Sequence, residues 1–68
     1  MRVFVNGQER SMSDGASISK LVDGETTDGH HRGIAVALNG EVVPRAAWEA
    51  TSIADGDKIE ILHAIGGG

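Results

Sequence analysis

Two Asn-Gly pairs, Asn6-Gly7 and Asn39-Gly40, restrict what this chain can fold into more than any other feature. A two-residue type I′ turn needs positive φ at both central positions, and Asn followed by Gly tolerates this better than other pairs. Each pair sits between residues suited to strands. Met1 to Asn6 puts Met1, Val3 and Val5 on one face and Arg2 and Phe4 on the other, and Gln8 to Met12 follows the first turn. Ile34 to Asn39 alternates large and small apolar side chains, and Glu41-Val42-Val43 follows the second turn. Pro44 ends that strand, having no N–H to give to a ladder. Two antiparallel hairpins are therefore expected.

Asp14-Gly15 breaks the first hairpin, and Ser17 is placed to cap a short helix with Ile18, Leu21 and Val22 at helical spacing. That helix is expected to end near Asp23-Gly24. Gly24 to Gly33 is polar and bounded by glycines, which reads as a solvated loop. "RAAWEA", Arg45 to Ala50, is expected to make one helical turn that lays Trp48 over the core. Asp55-Gly56-Asp57 is a turn, and Lys58 to Ile65 is the last strand, with Ile59, Ile61 and Ile65 on one side. The order is hairpin, helix, strand, short strand, final strand, without internal repeats. A helix across one face of a small mixed sheet is the simplest way to bury these stripes, an α+β fold. With the final strand beside the first, both central, the arrangement is a β-grasp. The first and last strands are the most apolar and contain no proline. Residues 1–65 are expected to form this domain, and residues 66–68 a flexible glycine tail.

Sixty-eight residues allow one domain, near the lower limit for a core that folds unaided. The chain has no cysteine, so disulfides, thiolate catalysis and a Cys-based zinc site are excluded. A net charge of -4 with six scattered basic residues argues against nucleic-acid binding. No apolar run reaches membrane-span length and no leader pattern is present, so a cytoplasmic location is expected. His30, His31 and His63 are the only imidazoles, and they do not make a convergent ligand set, so no metal is expected. The serines lie in turns, caps or exposed positions, and the Asp residues sit in glycine turns where they act structurally. No phosphate-binding loop with its lysine is present. The chain is not expected to be an enzyme or to bind a cofactor of its own.

Two features remain. By parity Phe4 and Leu62 point away from the helix side, so in a β-grasp they would lie together on the open face, with Ala35 or Ala37 beside them. An exposed apolar patch of this kind marks a partner-binding surface. The chain then ends in Gly66-Gly67-Gly68. A main-chain carboxylate with a pKa of roughly 3.5 is a poor electrophile until it is converted to an acyl phosphate or acyl adenylate. Glycines, lacking Cβ, give a thin lead that passes a narrow channel, and three of them reach roughly 10 Å.

The segments "VFVNG", "ALNGEVVPR", Trp48, "DGD" before the last strand and the terminal Gly67-Gly68 span nearly the whole chain. Together they resemble the ThiS family, the thiamine-biosynthesis branch of the ubiquitin-like sulfur carriers. The "GETTDGHHRG" loop matches nothing diagnostic, and Gly66 falls where family members vary. The resemblance implies a β-grasp fold and a carrier cycle. An E1-like adenylyltransferase, using ATP and Mg that it binds itself, would adenylate Gly68. A persulfide sulfur donor would then convert it to a thiocarboxylate, and thiazole synthase would take the sulfur. Gly68 would bear the sulfur, Gly66 and Gly67 would be the threading lead, and the free chain would be a monomer. Two alternatives stay open at this point: a carrier of the molybdopterin-synthase small-subunit type, and a non-catalytic ubiquitin-like interaction module.

Overall fold

The structure is a computed structural model that describes residues 1–25 and 33–63. Strands β1 (Arg2–Val5) and β2 (Gln8–Ser11) precede helix α1 (Ile18–Glu25). Strands β3 (Ile34–Leu38) and β4 (Glu41–Val43), a 3-10 turn at Arg45–Ala47, and strand β5 (Lys58–His63) follow. The five strands form one sheet in the order β2-β1-β5-β3-β4. β1 and β5 run parallel in its centre, and the other neighbours are antiparallel. This is the β-grasp arrangement expected from the order of elements.

Both Asn-Gly pairs adopt the expected turn, with φ of 50° and 82° at Asn6 and Gly7 and of 51° and 87° at Asn39 and Gly40. Strand alternation then sorts the side chains. Val3, Val5, Val36, Ile59 and Ile61 point to one face and are buried there. Ile18, Leu21 and Val22 of α1 pack on them, as a helix face at i, i+3 and i+4 must. Trp48 and Ile53 complete the core. The indole of Trp48 donates to the Val43 carbonyl at 2.9 Å, which satisfies its only polar atom.

An eight-residue helix is too short to hold itself together, so its ends need partners. The 48–53 segment supplies them at the N-terminus. Ile18 N donates to Thr51 O at 3.0 Å and Ser19 N to Trp48 O at 3.1 Å. Lys20 N donates to Ser17 Oγ at 3.1 Å, the expected side-chain cap. Every otherwise orphaned N–H of the first turn is therefore satisfied.

Some boundaries differ from expectation. The helix continues through Gly24 to Glu25. Gly24 is not among the glycines with positive φ, so it does not act as a left-handed stop. Glu25 is tied back to β2 by its ion pair with Arg10. β2 ends at Ser11, although Met12 N still donates to Met1 O at 2.9 Å. The segment at Arg45–Ala47 is a single 3-10 turn. The remainder of the expected 24–33 loop up to Arg32, and Ile65 with the tail, lie outside the described residues.

Candidate functional site

β5 is the strand from which the chain's last residues follow, and it has a neighbour on each side. It begins at a turn made by Asp-Gly-Asp chemistry. Asp57 Oδ2 accepts from Ala54 N at 2.7 Å, and Asp55 Oδ1 accepts from Arg2 N at 2.8 Å. Gly56, at φ 85°, donates its N–H to Arg2 O at 2.7 Å. These carboxylates are occupied in holding the start of β5 against β1, the structural role expected of them.

The face of the sheet away from α1 has no layer over it among the described residues. On β5 it presents Lys58, Glu60 and Leu62, and on β3 Ala35 and Ala37. Leu62 stands opposite Ala35 and is 63% exposed. Val42 of β4 stands opposite Ala37 and is 75% exposed. The alanines keep this part of the face low, so Leu62 and Val42 project from it. Phe4 is on the same face, half-buried, between Glu9 of β2 and Lys58 of β5.

The expectation that Phe4 and Leu62 lie together needs correction. Phe4 is in register with Lys58, and Leu62 is four residues further along β5. At about 3.3 Å per residue this separates them by roughly 13 Å, with Glu60 between. The apolar patch is instead Leu62, Ala35, Ala37 and Val42, and Phe4 forms a second, smaller apolar point bordered by Gly7, Lys58 and Glu60. Val42 was missed from the sequence. Parity could have found it, because Val43 faces the core opposite Val36 and so turns its neighbour outward.

Gly66, Gly67 and Gly68 lie outside the described residues, as do His30 and His31. His63 is exposed at the end of β5, opposite Ile34. Among the described residues no group of three or more His, Cys, Asp or Glu is placed to hold a metal ion. No helix among them is long and apolar enough to cross a membrane.

A sequence model of the ThiS family matches residues 3–68. The sulfur carrier protein ThiS of Escherichia coli is 32% identical over 68 residues, covering 100% of both chains. A crystal structure of the thiamine biosynthesis protein ThiS from Geobacter metallireducens matches with a TM-score of 0.83 at 33% identity, again over 100% of each chain. A thiazole synthase from Paramagnetospirillum magneticum is 37% identical over 68 residues. That match takes in 100% of this chain and 20% of the larger protein.

Proposed function

The chain belongs to the ThiS family and is a sulfur carrier of thiamine biosynthesis, and we propose that Gly68 is the residue on which it carries the sulfur. The observation that supports this is a family match that continues through the last glycine, to residue 68. The chemistry then follows from what a carboxylate lacks. One oxygen of the Gly68 carboxylate attacks the α-phosphorus of ATP, and pyrophosphate leaves. The resulting acyl adenylate has AMP as a good leaving group. The terminal sulfur of a donor persulfide attacks the acyl carbon and displaces AMP. A thiol then attacks the donor's sulfur, forms a disulfide with it, and leaves a thiocarboxylate on Gly68. An E1-like enzyme supplies the nucleotide and Mg site and shields the adenylate from water. A cytoplasmic location suits this cycle, since ATP is supplied there.

Gly66 and Gly67 serve as the threading lead, since residues without Cβ let the reacting carbon enter a narrow site. The sheet face bearing Leu62, Val42 and Phe4 is the docking side, because it exposes these apolar side chains among Lys58 and Glu60 and is continuous with β5. The chain contributes docking and a reacting group, and so acts as a co-substrate of its partner enzymes. Thiazole synthase is the sulfur acceptor in this reading. It is supported by the relative of that name, a fifth of whose length matches this chain. The relatives above are thiamine-biosynthesis proteins, so a pterin acceptor has no observation of its own.

The test is ATP–pyrophosphate exchange by the activating enzyme, with this chain as the acyl substrate. Exchange is expected with the full chain and lost on deleting Gly67-Gly68. Exchange that survives the deletion would place the reacting group elsewhere.

A further inference from the structure

β1 pairs with β5 over a short stretch, Phe4 with Lys58 and Val5 with Ile59. Asn6 N still donates to Ile59 O at 2.9 Å, and the chain then turns away into the hairpin. The main-chain groups of Ile61 point to the same side as those of Ile59, so β1 has no peptide unit left to meet them. The side chain of Asn6 takes that place. Its Oδ1 accepts from Ile61 N at 2.8 Å, and its Nδ2 donates to Ile61 O at 3.2 Å. A carboxamide carries the same donor and acceptor as a peptide group, so the parallel ladder is extended by one step without any backbone.

The second turn makes a comparable fastening at the other end of β5. Asn39 Oδ1 accepts from Lys58 N at 3.0 Å, and its Nδ2 donates to Asp57 Oδ1 at 3.0 Å. Turn geometry does not demand these side chains, because glycine also takes positive φ at the first turn position. Both asparagines therefore do something a glycine cannot. Asn39 secures where β5 begins, and Asn6 secures Ile61, just ahead of Leu62, His63 and the segment Ala64–Gly68.

We infer that Asn6 is a positioning residue for the reacting terminus, its carboxamide holding β5 extended through Ile61 so that the chain leaves the sheet in a set direction. The inference rests on the sulfur-carrier reading above. A terminus that must reach another protein's nucleotide site gains from a fixed point of departure. β3 holds the other edge of β5 through His63, so losing the Asn6 carboxamide frees only the β1 edge at Ile61; the partner would then have to fix that edge on docking, at a cost to affinity.

The test compares Asn6→Gly with Asn39→Gly, both of which keep a residue suited to positive φ. Each chain serves as substrate for the activating enzyme in pyrophosphate exchange, at a temperature where both are shown to be folded. Amide hydrogen exchange at Ile61, His63 and Lys58 is followed alongside. Asn6→Gly is expected to speed exchange at Ile61 and to lower kcat/KM about tenfold, mainly through KM, as the loss of two neutral hydrogen bonds allows. Asn39→Gly should speed exchange at Lys58 and leave kcat/KM near wild type. Equal losses in the two variants, or no loss in Asn6→Gly, would overturn the inference. Should Asn6→Gly not fold, Asn6→Asp decides the matter, since it keeps the acceptor for Ile61 N and loses the donor. A partial rise in KM supports the role, and a wild-type KM contradicts it. A wild-type chain that supports no exchange counts against the sulfur-carrier reading instead, and protection at Ile61 still reports on the clamp.

Discussion

Trp48 shows how much a single side chain carries in a core this small. It is 3% exposed, closes the end of the core between α1 and β4, and has its one polar atom satisfied by Val43 O. Trp48→Phe keeps most of the ring but removes the indole donor, while Val43 O keeps its ladder partner Val36 in β3. It should cost about 1 kcal/mol. Trp48→Ala adds a cavity and should cost about 3–5 kcal/mol. A domain of this length has roughly 3–10 kcal/mol in all, so the alanine variant should be substantially unfolded at 25 °C. Urea unfolding followed by circular dichroism checks both, and equal midpoints for the two variants would show that the cavity does not matter. The burial of Trp48 was legible, because a lone large aromatic behind Pro44 has nowhere else to go. Its bond to Val43 was not, because it depends on how tightly the chain winds after Pro44. The wide spacing of Phe4 and Leu62 escaped for a related reason: side-chain parity shows the face, and only the register of β1 on β5 shows the position along it.

At the level of elements, hairpins were the easiest to read and the central strand pair the hardest. Asn-Gly chemistry acts between neighbours in sequence, so β1–β2 and β3–β4 are written locally. The parallel pairing of β1 with β5 joins the two ends of the chain and depends on which apolar stripes must share a core. The helix is intermediate. Ser17 signals where it starts, but the acceptors at Trp48 and Thr51 belong to a distant segment. Its stability is therefore mostly tertiary. Ser17→Ala removes the bond to Lys20 N and should cost about 1 kcal/mol, read as a lower urea midpoint with unchanged slope. By contrast the Arg10–Glu25 pair lies at the surface, so Glu25→Gln should move the midpoint by less than about 1 kcal/mol. A larger effect there would mean that the pair, more than the cap, holds the helix to the sheet.

Across the whole molecule the two faces of the sheet have different tasks. One is closed by α1 and Trp48 and supplies the stability. The other leaves Leu62, on the strand that leads to Gly68, and Val42, two strands away, in solvent, where they add little to folding. Leu62→Glu should therefore weaken binding to the activating enzyme by about tenfold or more, as loss of an apolar anchor does. Its thermal midpoint should hardly move, because an exposed substitution changes stability by only about 0.5 kcal/mol. Phe4→Glu tests the second apolar point in the same way, with calorimetry separating binding from unfolding. Equal affinity in both variants would move the docking side elsewhere. In the proposed cycle the body docks and the last main-chain carbon reacts. Intact mass spectrometry after incubation with the activating enzyme, MgATP and a persulfide source tests it most directly. A gain equal to one oxygen replaced by one sulfur is expected, confined by fragmentation to Gly68. An unchanged mass, with an enzyme that thiolates another carrier in the same mixture, would contradict it.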